Sequence, residues 1–113
     1  MKRGVKADRL SHGFTVQPTD LVATALGTCI VTTMGIFAAR HGIDLRGTKI
    51  SVQKEMTSVP TRRIARLASE LFLPLPPTHP QRETLERIAH TCPVHQSLHP
   101  EVDAPIRFVW AGA

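Results

Sequence analysis

Pro18-Thr19-Asp20-Leu21-Val22-Ala23-Thr24-Ala25-Leu26-Gly27-Thr28-Cys29 opens the longest uncharged stretch of this 113-residue chain. No Asp, Glu, Lys or Arg occurs from Leu21 to Ala39. A membrane span needs about 20 predominantly apolar residues. Here Thr24, Thr28, Thr32 and Thr33, two glycines and a cysteine interrupt the run. A long helix buried at the centre of a folded domain is the better reading, with no membrane involved. Pro18 marks its start, with Thr19 or Asp20 as the cap. Gly42 is the expected stop, and Arg40 and His41 stand in the last turn, where cations suit the helix dipole.

Working outward, residues 48–56 alternate. Ile50, Val52 and Met56 lie on one face, and Lys49, Ser51, Gln53 and Glu55 on the other, which is the period of a strand. Lys54 interrupts the apolar face, as if the strand neared an exposed end. Residues 62–73 are ambiguous. Ala, Leu, Arg and Glu favour helix by propensity, whereas Ala65, Leu67, Leu71 and Leu73 fit a two-residue period. A proline-rich connector spans 75–80. Residues 79–92 read as helix, with Leu85, Ile88 and Ala89 on one stripe and Arg82, Glu83, Glu86 and Arg87 opposite, and Pro93 breaks it. Residues 94–98 suit a further short turn. Ile106, Phe108 and Trp110 alternate with Arg107 and Val109, a last strand. On the other side of the long helix, Phe14-Thr15-Val16 suits the end of a strand. This order fits a sheet with helices packed on one face, an α+β single domain over residues 1–113 with a short N-terminal segment at 1–13.

A chain this short buries a limited core, and dimerisation is a common remedy. The formal net charge is +5, but the basic residues are scattered and not interleaved with aromatics, so a solvated surface is expected rather than nucleic-acid binding. The opening residues are basic and lack an apolar stretch, unlike a signal peptide. Two cysteines are too few for a secreted disulfide scaffold. The expectation is a cytoplasmic protein with reduced thiols.

Those thiols are the candidate reactive groups. Cys29 lies midway along the long helix, with Ala25, Leu26, Thr32 and Thr33 as its helical neighbours. Most of these are small and leave room for a substrate. The plain alternative is a small core hydrophobe. A reactive cysteine must be a thiolate, and apolar burial opposes ionisation, so a nearby cation is expected. None lies within one helical turn; Arg3, Arg9 or a partner subunit could supply it. Cys92 stands at a proline break in Thr91-Cys92-Pro93-Val94-His95, where a resolving thiol could travel to form a disulfide. It too could be a core residue. His90, His95 and His99 do not combine with the cysteines into a compact zinc-ligand spacing, and no metal is expected. No phosphate loop, serine–histidine–acid pattern or facing carboxylate pair is present.

The run from Pro18 to Cys29, together with Cys92-Pro93-Val94-His95-Gln96-Ser97-Leu98, resembles the OsmC/Ohr family. The link through Ala38-Ala39-Arg40, Gly42-Ile43-Asp44-Leu45 and Arg63-Ile64 is similar as well. The resemblance implies an OsmC/Ohr-like α+β fold: an antiparallel sheet, a long central buried helix and a second helix, in an intertwined homodimer. It turns residues 62–73 into a strand. It implies thiol peroxidase chemistry without a cofactor, in which Cys29 attacks an organic hydroperoxide, Cys92 resolves the sulfenic acid as a disulfide, and a dithiol reductant resets the pair. Thr19, Asp20, Ala25, Leu26, Thr32 and Thr33 would shape the substrate pocket, and His95 would orient the Cys92 segment. Two departures stand out. Family peroxidases carry a glutamate after the proline and an arginine in the N-terminal part. Thr19 occupies the glutamate's place, and Asp20, one step on, points about 100° away. The region before Phe14 is also short. A dimer that binds an apolar small molecule without turnover is the rival reading, and a stress-related structural dimer is a third.

Overall fold

The computed structural model describes residues 17–112. Phe14-Thr15-Val16 and the arginines at 3 and 9 lie outside them. The long helix, α1, runs Pro18–Arg40. Its cap is Gln17, not Thr19 or Asp20. Gln17 is extended at φ −94° and ψ 150°, and Pro18 takes the first helical position, for which its fixed φ is suited. Asp20 sits two residues further in and turns back, its Oδ2 accepting the Gln17 N–H at 3.2 Å. At the far end Gly42 has φ +65°, where a side chain would be strained, and the Ile43 N–H closes the helix on the Ala38 carbonyl at 2.9 Å.

Although α1 is apolar on every side, only one stripe of it is covered in the single chain. Ala23, Leu26, Gly27, Ile30, Met34 and Ala38 are buried, a spacing of three and four that marks one helix face. Opposite, Leu21 and Ile36 are 52% and 53% exposed. The stripe packs on a three-stranded sheet of order β1-β2-β3, made of β1 (Lys49–Thr57), β2 (Arg63–Leu73) and β3 (Ile106–Trp110). A Cβ on Gly27 would meet Val52 Cγ2 at 3.2 Å and Ile50 Cγ2 at 3.5 Å. Glycine inside a helix costs about 1 kcal/mol relative to alanine. Here it lets α1 settle directly onto β1.

The sheet is mixed rather than antiparallel. β1 and β2 form an antiparallel pair in which Ile50 faces Leu71 and Val52 faces Ser69. β3 runs parallel to β2, Ser69 opposite Ile106 and Leu73 opposite Trp110. The cause is the connection: between β2 and β3 the chain passes through α2 (Arg82–Ala89) and α3 (Pro93–Gln96), a crossover of the kind that parallel neighbours require. Residues 62–73 are resolved in favour of strand. Leu67, Ser69, Leu71 and Leu73 are all buried on the inner face, so tertiary burial overrides helix propensity. At the end of β3 the Trp110 indole N–H donates to Glu86 Oε2 of α2 at 2.9 Å, and Arg82 lies 5.5 Å above the ring. Glu86 is therefore tied to the core edge and not simply solvated.

Lys54 is the largest surprise in β1. It marks no exposed end: its side chain is 3% exposed and its Nζ stands 2.9 Å from Asp20 Oδ1, itself 2% exposed. The same ammonium donates to Thr19 Oγ1 at 2.8 Å and Gln17 Oε1 at 3.3 Å. The start of α1 is thereby fastened to the sheet. Removing one member of a buried ion pair strands the other charge, at a cost of about 3–5 kcal/mol. Lys54→Met is expected to lower unfolding free energy by about that amount, measured by urea denaturation. Lys54→Met with Asp20→Asn, which buries no charge and keeps the helix cap, should recover most of the loss.

Candidate functional site

The local sequence sets each thiol differently. Cys29 precedes the fully enclosed Ile30 by one position on α1, so it is turned about 100° out of the buried stripe. It lies at the margin of the core, partly accessible. Cys92 precedes a proline, which restricts it to extended backbone, and it adopts φ −62° and ψ 139°. That conformation makes it the N-cap of α3. Its Sγ accepts the His95 N–H at 3.3 Å, and it is 0% exposed. Both thiols are free; Cys29 packs against the core cluster that contains Cys92, and each influences the ionisation of the other. The fold therefore places two cysteines that are far apart in sequence in and against one core cluster.

Their ionisation is unequal. At Cys29 the largest single influence is burial, which opposes the thiolate. The Val94 N–H, the Cys92 thiol and the Thr33 hydroxyl together outweigh it and hold the thiol below its ordinary value. Thr33 Oγ1 lies 4.0 Å from the sulfur. At Cys92 burial again dominates and pushes the thiol up. The side chain of Cys29 and its charge add to this, and the N–H groups of His95 and Val94 do not overcome it. Cys29 ionises first. No lysine or arginine is among the groups that shift it. Neutral donors, the Val94 N–H foremost, rather than a cation provide the stabilisation within the described residues.

His95 secures the short helix that carries these donors. Its Nε2 lies 3.1 Å from the Ala104 carbonyl, which can only accept, so Nε2 carries the proton. The ring thus joins α3 to the connector before β3. His90 directs Nδ1 at the Glu86 carbonyl at 3.0 Å, and the His99 Nδ1 accepts the Glu101 N–H at 3.0 Å. Among the described residues, no three His, Cys, Asp or Glu side chains gather as a metal-binding group.

The residues expected to shape a pocket separate into two places. Thr33 touches Cys29, and Ala25 and Thr32 share its side of α1 and are exposed. Leu26 does not line that side: it is 0% exposed and belongs to the buried stripe of α1. Thr19 and Asp20 stand roughly 15 Å along the helix from Cys29, and both are engaged by Lys54. What sequence reasoning missed is the Val94 N–H. A backbone donor has no side-chain signature, and only the Cys92-Pro93-Val94 order hints at a helix start aimed at the thiols.

The chain is similar to known proteins over most of its length. The family described as OsmC-like protein matches residues 11–106. A Psychrobacter arcticus 273-4 protein, described as an osmotic stress induced and detoxification response protein, is 32% identical with a TM-score of 0.76. The match covers 82% of this chain and 67% of that one. The organic hydroperoxide resistance protein OsmC of Legionella pneumophila is 18% identical, with a TM-score of 0.69 over 82% of this chain and 69% of its own. OhrB of Bacillus subtilis is 15% identical, with a TM-score of 0.64 over 96% and 95% of the two chains. The last two likenesses concern the fold. No curated protein matches the chain.

The unequal thiols give a direct expectation for alkylation. Only the thiolate reacts with iodoacetamide, so each rate rises with pH through the midpoint of its own thiol. Peptide mapping across a pH series should place the Cys29 midpoint on the acid side of a free cysteine. Cys92 should remain nearly unmodified in the native protein and react only at higher pH or in denaturant.

Proposed function

The chain belongs to the family of OsmC-like proteins, and from that membership we propose that it is a thiol-dependent reductase of organic hydroperoxides in which Cys29 is the nucleophile and Cys92 the resolving thiol. The observation that carries this reading is the packing of the partly accessible Cys29 against the core cluster that holds the buried Cys92, with ionisation favoured at the more accessible thiol. The Cys29 thiolate attacks a peroxide oxygen, the O–O bond breaks, and the leaving alkoxide takes up a proton. Cys29 becomes a sulfenic acid. The Cys92 sulfur attacks it, water departs, and a disulfide forms. A dithiol reductant restores both thiols, and the cycle needs no cofactor. Ala25, Thr32 and Thr33 share the side of α1 that presents Cys29 and would contact the substrate. Free thiols of this kind suit the cytoplasm, where disulfides are transient.

The exposed face of α1, with Leu21, Thr24, Ala25, Thr28, Thr32 and Ile36, is uncharged. A second copy of the chain would cover it, giving a homodimer with the peroxide pocket at the margin of the interface. Thr28→Glu places a charge in the middle of this face. It should halve the apparent mass in sedimentation or gel filtration while leaving the circular dichroism of the helices in place.

One observation favours a second reading, a dimer that holds an apolar small molecule without turnover. Thr19, where family peroxidases carry glutamate, is committed to Lys54 at 2.8 Å. Peroxide consumption separates the two. With cumene hydroperoxide and a dithiol, the natural chain should turn over, Cys29→Ser should fall to background, and Cys92→Ser should react once and then overoxidise. Equal, background consumption by all three proteins rules out the reductase.

A further inference from the structure

Resting on the two-thiol cycle proposed above, we infer that the external reductant attacks the sulfur of Cys29 in the oxidised protein, and that Cys92 leaves toward the His95 N–H. The step balances as a thiol–disulfide exchange. An incoming thiolate bonds to the Cys29 sulfur, the Cys29–Cys92 bond breaks, and its electron pair departs on Cys92. A second thiol of the reductant then displaces Cys29 and leaves as the reductant's own disulfide.

Geometry decides the direction. Exchange requires the thiolate to approach along the S–S axis, from behind the sulfur it attacks. Cys92 is 0% exposed, enclosed within the core that includes Leu85 and Ala89, so no such approach to it exists. Cys29 lies at the core margin and is partly accessible in the single chain. Peroxide and reductant therefore meet the same atom.

Leaving-group acidity pulls the other way, since the more acidic thiol leaves faster and Cys29 is the more acidic in the reduced protein. That preference is graded, whereas access to an enclosed sulfur is not. It also weakens at the moment of exchange. Cys29 in a mixed disulfide carries no charge, so one of the influences that raise Cys92 vanishes. The His95 N–H, 3.3 Å from the Cys92 sulfur in the reduced state, remains to receive the departing thiolate. The Cys92 cap of α3 thus has a role in regeneration as well as in folding.

The test is a trapping experiment on the full chain. The disulfide is formed with diamide rather than peroxide, so that a failure of peroxide reduction stays separate from a failure of this inference. 2-Mercaptoethanol is then added briefly, the mixture is quenched in acid, and freed thiols are blocked with N-ethylmaleimide. Peptide mapping should find mercaptoethanol on Cys29 and maleimide on Cys92, in at least about tenfold excess over the reverse pattern. Mercaptoethanol on Cys92, or equal labelling of both, overturns the assignment. In a companion measurement, Cys92→Ser should react with dithionitrobenzoate at least about tenfold faster than Cys29→Ser; equal rates would remove the difference in access on which the inference stands.

Discussion

The rotational setting of α1 is the constraint on which the rest of the molecule depends. Two contacts fix it. At its start the buried pair of Asp20 and Lys54 ties the first turn to β1, 2.9 Å apart. Midway, Gly27 allows the helix backbone to approach β1 so closely that an added Cβ would stand 3.2 Å from Val52 Cγ2. Between these points the helix cannot roll without exposing a charge or driving a side chain into the sheet. Ile30 is then held in the core, and Cys29, one step earlier, is held at its edge beside α3.

That edge is where chemical asymmetry arises between two residues of the same type. One sulfur is enclosed and caps a short helix. The other is at the margin and receives main-chain N–H and hydroxyl contacts. Backbone donors do not titrate and are fixed by the chain's own path, so their effect persists across the pH range in which the protein is folded. Pro93 contributes twice. It holds Cys92 extended, and it starts the short helix whose Val94 N–H favours the Cys29 thiolate.

Much of this was legible beforehand, and the exceptions have physical reasons. The span of α1, its glycine stop and the alternation in β1 and β3 follow from local pattern. β2 did not, because its residues favour helix until burial on the inner face is supplied, and only the family resemblance turned it into a strand. The direction of β3 was missed because parallel pairing depends on the path of the crossover, which leaves no mark in the strand itself. Lys54 read as a sign of exposure because a buried lysine needs a distant carboxylate, and Asp20 is on another element. The thiols were singled out by motif, but the donor that favours one of them belongs to the backbone of Val94. Leu26 was placed beside Cys29 by helical spacing, although a single step separates the two faces.

The chain contains one tryptophan and no tyrosine, and that tryptophan joins β3 to α2 through Glu86 and Arg82. Its intrinsic fluorescence therefore originates at a single seam, with no second emitter to average against. The same α2 leads directly into Cys92. Any change at Cys92 that shifted α2 would alter the polarity around the indole, so the fluorescence of Trp110 is a readout of such a shift that needs no added dye.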